Sequence, residues 1–248
     1  MKITRTSVIL FFVLVAGGIT PSSAQFGIEL GAGGGASLPA ADFAGTTRGF
    51  YSGTSYGLGP GEGINIRSRF RLLGIPLIGE INYSLIPGEG DAQAGVGSIS
   101  IKDRVFSTKV GPEFTFIPLG LPFHLYLDAT VGINDIGGDV SFKGVPGVPD
   151  MAYIKNAVAR LGVGVSGGAV VPLNERILLD VGLSYNFLNP FLQAWDDVHP
   201  SVDQRVDSYL ALNDAKDPLY AAGNATHFIG AARRVNLMLV SMDFMFRI

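Results

Sequence analysis

The chain of 248 residues contains no cysteine. Its absence excludes a disulfide framework and any thiolate metal site, and leaves the compartment unreadable from cystines. Charge is also sparse: 16% of residues are Asp, Glu, Lys or Arg, and the formal net charge is −3. No basic patch stands out from that balance, so no nucleic-acid partner is expected. Past residue 20 the chain lacks any apolar run of the ~18 residues a spanning helix needs, yet mean hydropathy is +0.34. High apolar content without a long run fits apolar residues spread over alternating strands. What is abundant is glycine, at 34 residues.

Met1 to Gln25 reads as a secretory signal. Lys2 and Arg5 form a basic start, Ser7 to Val15 an apolar core, and Ser22-Ser23-Ala24 the small residues of a cleavage site. Residues 1–24 are therefore expected to be removed, leaving a single domain over 25–248. Their loss takes Lys2 and Arg5 away and moves the net charge from −3 to −5.

Leu121 to Asp135 shows the pattern that organises the rest. Leu121, Phe123, Leu125, Leu127, Ala129, Val131 and Ile133 alternate with Pro122, His124, Tyr126, Asp128, Thr130, Gly132 and Asn134. One face is apolar and, after Pro122, the other is polar or small, which is the two-residue period of a strand. The run exceeds the usual ~5–6 residues of a globular strand and suits the ~9–11 of a strand that crosses a bilayer at a tilt.

Seven further segments repeat it. They are Phe26–Ala36, about Ile64–Leu73, Ile75–Leu85, Ile99–Ile117, Asn156–Val171, Ile177–Phe187 and Arg233–Ile248. Ile99 and Ile101 have the opposite parity to Phe106 and Val110, which predicts a bulge near Lys102 to Arg104. Leu237 and Leu239 fall on the nominally polar face of the last segment. Gly74, Pro118-Leu119-Gly120 and Pro172-Leu173-Asn174 mark tight turns. Long connections are expected after Ala36, at Pro87–Gly97, at Ile136–Met151 and at Asn189–Ala232. Short turns at one rim and long loops at the other predict an all-β fold: an eight-stranded antiparallel up-and-down transmembrane β-barrel with periplasmic turns and extracellular loops.

Three features place the apolar face outward. The polar face is rich in small residues (Gly162, Gly164, Ser166, Gly168), as a narrow interior requires. Aromatic residues on the apolar face gather near strand ends: Phe26, Phe116, Phe123 and Phe246 at the short-turn rim, Tyr83, Tyr185 and Phe187 toward the other, like two interfacial girdles. Charges on the polar face also balance. Arg67, Arg69, Arg71, Lys109, Arg160 and Arg247 stand against Glu29, Glu80, Glu113, Asp128, Asp180 and Asp243, and charges in a narrow interior need partners.

Signal sequence, eight amphipathic segments, alternating turn lengths and the ending Asp243-Phe244-Met245-Phe246-Arg247-Ile248 resemble the small outer-membrane barrel families: the OmpA transmembrane domain, OmpX, OmpW and the general outer-membrane β-barrel domain of Gram-negative bacteria. The resemblance implies a bacterial outer membrane, lipid contact, a monomer, and recognition of the last strand by the barrel-assembly machinery. Members usually end in an aromatic residue; here Phe246 precedes Ile248 by two. Some members are lipid-modifying enzymes that use His with Ser or an acid. His124 is expected inside near the periplasmic rim, and His199 and His227 in the last loop, so neither an enzyme nor a cofactor or metal is expected. A secreted soluble barrel carrying an apolar ligand is the other alternative.

The stripe Arg67, Arg69, Arg71 has two readings, an anion-attracting constriction or gate and a structural plug of ion pairs; the plug is favoured. The spacing of Val202, Val206, Tyr209 and Leu210 predicts a short amphipathic helix, read as an ordinary loop helix in preference to one that caps the mouth or meets an extracellular partner. The expected role is structural, loop-mediated binding or weak passage of small solutes.

Overall fold

The computed structural model of the chain describes residues 27–52, 54–118, 122–192 and 234–248. The signal sequence, Phe26, His199, His227 and the helix expected within 202–216 lie outside these residues.

Eight strands form β1 (Glu29–Ala41), β2 (Gly61–Leu72), β3 (Ile75–Gln93), β4 (Val96–Phe116), β5 (His124–Lys143), β6 (Ala152–Pro172), β7 (Ile177–Phe187) and β8 (Val235–Arg247). Each pairs antiparallel with its neighbours, and β8 pairs back onto β1 to close a barrel. Local chemistry sets the turns. Leu73 and Gly74 have φ of 52° and 82°, the two positive values of a primed hairpin turn whose twist matches the strands. Between β6 and β7, Asn174 Oδ1 accepts the backbone N–H of Arg176 and of Ile177, both at 2.8 Å, an Asx turn.

The alternation acts as expected through the lower part of the barrel. Leu127, Val131 and Ile133 of β5, Val165 of β6, Leu183 of β7 and Met242 of β8 are exposed on the outer wall. Tyr126, Asp128, Thr130 and Asn134 face the lumen and are buried. A large apolar belt turned outward on a closed barrel is the reverse of a soluble barrel's arrangement.

The upper part differs from the sequence reading. No bulge interrupts β4 at Lys102–Arg104: its register with β3 and β5 runs unbroken through these residues. Ile99, Ile101 and Val105 share the inward face with Ser107 and Lys109, and all are buried. What changes is the content of the lumen, from polar to apolar. The irregularity falls instead between Ile136 and Gly138 in the β5–β6 pairing. Pro87–Gly97 is likewise not a loop, because β3 continues to Gln93 and returns at Val96. β5 continues to Lys143 and β6 begins at Ala152, so half of the expected 136–151 loop is strand.

β3 to β6 therefore rise past the belt by roughly eight residues, on the order of 25 Å before tilt. Outward residues turn polar there: Phe106 gives way to Arg104, Lys102 and Ser100, and Ile133 to Asp135, Asp139 and Ser141. The inner face of this tower stays apolar and is covered by the β1–β2 connection with its helix α1 (Thr47–Ser52). Phe43, Phe50, Tyr56 and Leu58 of that connection pack with Ile86, Ile99, Ile101, Val105, Ile136, Val140 and Phe142. Phe50 stacks on Phe142 at 6.4 Å, and Phe43 meets Tyr56 edge-on at 5.7 Å. Leu237 belongs to the same core, with Leu239 packed against it, which accounts for their parity.

Candidate functional site

Arg67 and Arg69, two residues apart on β2, point the same way. Register supplies their partners. Arg67 lies opposite Glu80 of β3, and Glu80 opposite Lys109 of β4. Glu113 lies opposite Asp128, and Asp180 of β7 opposite Asp243 of β8.

Asp180 is the hub. Its carboxylate accepts Arg67 Nη1 at 2.8 Å, Arg69 Nη2 at 2.7 Å and the Tyr126 hydroxyl at 2.9 Å, with no exposed surface. Arg67 also pairs with Glu80 at 2.6 Å, and Arg69 with Glu113 at 2.7 Å. Lys109 Nζ binds Glu80 at 2.9 Å and the side-chain oxygen of Asn186 at 2.7 Å. Tyr126 lies across the lumen beneath both guanidiniums, with Arg69 Cζ 4.7 Å and Arg67 Cζ 5.6 Å from its ring centre. The ring fits because Gly182 and Gly168 face it: a Cβ would sit 2.5 Å and 2.6 Å from the Tyr126 oxygen. Glycine on the polar face is thus the space into which long side chains fold.

The expected set is only partly gathered. Arg67, Arg69, Lys109, Glu80, Glu113 and Asp180 form one connected layer. Asp128 and Asp243 are buried beside it without a cation in the described residues; Asp128 accepts the Ser166 hydroxyl and Asp243 accepts Asn65 Nδ2 at 2.6 Å. Arg71 is exposed at the rim, next to the β2–β3 turn. Arg247 pairs with Glu29 at 2.9 Å at the same end and is half-exposed. Arg160, register-paired with Asn134, donates to the Ala159 carbonyl at 2.8 Å near the apolar zone. Among the described residues the buried charges at this level are Arg67, Arg69 and Lys109 with Glu80, Glu113, Asp128, Asp180 and Asp243.

Sequence reasoning missed Tyr126 and the amides. Asn65, Asn82, Asn134 and Asn186 are buried above the ion pairs. Their inward parity was visible, but parity does not say that an amide, rather than a charge, completes a layer. A small apolar ring of Tyr126, Val170, Leu178 and Met245 closes the lower end.

The aromatic residues fall at two levels of the outer wall. Phe116 and Phe246 are exposed near the short turns, with Phe114 and Phe244, and Phe123 is half-buried beside them. Tyr83 lies opposite Phe106 at the upper level. Tyr185 and Phe187 pack edge-on at 5.0 Å there, and Asn236 Nδ2 donates to the Tyr185 hydroxyl at 2.9 Å.

The layer ties β2, β3, β4, β5 and β7 together across the lumen. The hydrogen bonds and ion pairs of its cations run to carboxylates, to the Asn186 side-chain oxygen and to the Tyr126 hydroxyl. Among the described residues no group of His, Cys, Asp and Glu could hold a metal ion.

Closed antiparallel pairing, an outward apolar belt with aromatic rims and a charged lumen define a transmembrane β-barrel of the bacterial outer-membrane class. No protein-family model matches the chain, and no curated protein does. Solved structures do resemble it. Neisserial surface protein A is 11% identical with a TM-score of 0.49, over 89% of this chain and 97% of that one. A major outer membrane protein from Thermus thermophilus is 12% identical, also at 0.49, over 89% and 99%. Ail of Yersinia pestis, in complex with the heparin analogue sucrose octasulfate, is 10% identical at 0.42, over 91% and 100%. These identities carry nothing about function; the assignment to the class rests on the strand pairing and outer wall described above.

Proposed function

We propose that the protein is a closed membrane anchor that holds the β3–β6 tower above the outer leaflet, where it acts structurally or binds an extracellular partner. One observation carries this reading: the lumen is filled twice. The ion-pair layer around Asp180 occupies the belt, and the aromatic core around Phe50 occupies the tower. A weak pore for small solutes would require both to part.

The outer belt makes outer-membrane lipid the surrounding partner, and β8, with Phe244 and Phe246 outward, is the strand offered to the barrel-assembly machinery. Pairing of β1 with β8 leaves no open strand edge in the belt, which supports a monomer. The reading includes no enzymatic role. A lipid-modifying site would need His beside Ser or an acid on the lipid face, whereas His124 sits half-buried at the short-turn rim.

The test is ion conductance of the inserted mature protein in a planar bilayer. The closed anchor predicts silence. Steady channels whose size changes on Arg69→Gln would replace it with a pore gated by the charged layer.

A further inference from the structure

The β2–β3 turn carries the wrong side chain for a turn in water. A primed two-residue turn favours Asn or Asp followed by Gly, because both central residues take positive φ. Here the pair is Leu73-Gly74, with Leu73 at φ 52°. A bulky side chain is rarely held in that region, since its Cβ crowds the following carbonyl oxygen. Leu73 is also 90% exposed, so it gains nothing by packing within the protein. Its neighbours Leu72 and Ile75 are more than half exposed. The patch continues the outer wall: Leu72 pairs with Ile75, and Phe70 with Leu77 above them. Leu77 pairs with Pro112 of β4. Extending that register puts Ile75 beside Phe114 and Leu73 beside Phe116, both exposed, so the tip does not reach past the lower aromatic level. The β6–β7 turn at the same rim differs. There Leu173 is followed by Asn174, Glu175 and Arg176, all exposed, and Asn174 Oδ1 caps the backbone.

We propose that the turn from Leu72 to Ile75 is inserted in the periplasmic leaflet, as a lipid anchor that carries the belt around the end of the β2–β3 hairpin. Among acyl chains Leu73 loses its contact with water, and that transfer offsets the cost of its positive φ. Lipid is the occupant because the surface is continuous with the wall that lipid already covers. A second copy or a periplasmic protein would have to displace lipid from Phe114 and Phe116 to reach the whole patch. The rim is therefore seated unevenly. On the β2–β4 side the apolar surface runs through the turn, and on the β6–β7 side it gives way to Asn174, Glu175 and Arg176, which stay in water. The assignment rests on the apolar wall facing lipid, and the test separates the two.

The experiment is fluorescence quenching of the mature protein in phospholipid nanodiscs, which open both rims to water. Leu73→Cys, Glu175→Cys and Phe114→Cys each carry one nitrobenzoxadiazole label. Lipid with a nitroxide on its acyl chain should quench the Leu73→Cys label nearly as strongly as the Phe114→Cys label. Iodide in the buffer should quench it several-fold less than the Glu175→Cys label. Iodide quenching equal to that of Glu175→Cys would overturn the anchor. Protection from both quenchers would also overturn it, by placing protein and not lipid over the turn. If lipid fails to quench Phe114→Cys, the outward wall itself falls, and the anchor with it. Leu73→Asn gives a second reading without a label and decides alone if the labelled variant does not fold. Asparagine suits the positive φ, so a turn in water would gain stability, whereas an anchor should lose it and lower the urea midpoint in vesicles. A raised midpoint overturns the proposal.

Discussion

Asp180→Asn is the sharpest perturbation of the charged layer. The substitution keeps size and hydrogen-bonding shape but removes the charge that two guanidiniums share at 2.8 Å and 2.7 Å. Asp180 has no exposed surface, and Arg67 and Arg69 are almost as deep, so water cannot move in to screen the change. Arg67 keeps Glu80 and Arg69 keeps Glu113, which limits the damage. Removing one partner of a buried pair costs about 3–5 kcal/mol, because the remaining charge stays desolvated. We therefore expect a loss of about 3–5 kcal/mol in urea unfolding from phospholipid vesicles, followed by far-UV circular dichroism and by the gel mobility of unboiled samples. Arg71→Gln, at the exposed rim, should change stability by less than about 0.5 kcal/mol. Adding Arg69→Met to Asp180→Asn should cost less than the sum of the two, by about 0.5–3 kcal/mol. If Asp180→Asn costs no more than Arg71→Gln, the layer is hydrated and the argument for a sealed lumen fails.

Asp243→Asn should behave differently, staying within about 1 kcal/mol of wild type or above it in the same assay, because among the described residues Asp243 accepts a neutral amide, Asn65 Nδ2, and pairs with no cation; a loss as large as that of Asp180→Asn would show that its charge is paired. Leu127→Arg puts a cation into the outer belt and should cost about 2–4 kcal/mol in vesicles; tolerance equal to that of a tower-surface change such as Ser100→Arg would undo the outward orientation. Phe50→Ala removes a ring from the core of the tower, at about 3–5 kcal/mol for a buried Phe. Hydrogen exchange should then lose protection in β3–β6 above the belt while β7 is unchanged, and uniform loss along the barrel would mean that the tower has no core of its own.

The belt was legible because a lipid-facing strand repeats one rule along its whole length. Leu127 with Asp128, or Leu183 with Ser184, states it in two letters. The tower was not, because the rule there changes without a break in the chain. Above the membrane water lies outside, so apolar residues move to the inner face, and Ile99, Ile101 and Leu237 look like errors of phase. A parity change reads the same whether a bulge shifts the strand or the solvent changes. Gly88, Gly90, Gly95 and Gly97 suggested a loop, but only the Gly95 region turns, and elsewhere small residues let strands approach the β1–β2 connection, as Gly88 does against the Gly57 carbonyl. In the charged layer, parity identified Arg67, Arg69, Glu80 and Asp180 as inward. It did not give height along the barrel, so Arg71, at the exposed rim, and Arg247, which pairs with Glu29 at the short-turn end, were grouped with the buried layer.

The chain's lack of cysteine makes the central claim directly testable, since any thiol introduced is the only one present. Single cysteines along β4 in whole-protein liposomes, challenged with a membrane-impermeant maleimide, sample belt, tower and core on one strand. Lys102→Cys and Arg104→Cys should label quickly. Phe106→Cys, Val110→Cys and Phe114→Cys should be protected by lipid, and Ile101→Cys and Val105→Cys by the core. Labelling of Val110→Cys as fast as Lys102→Cys would contradict the account, because the apolar wall would then face water and the molecule would be a soluble barrel.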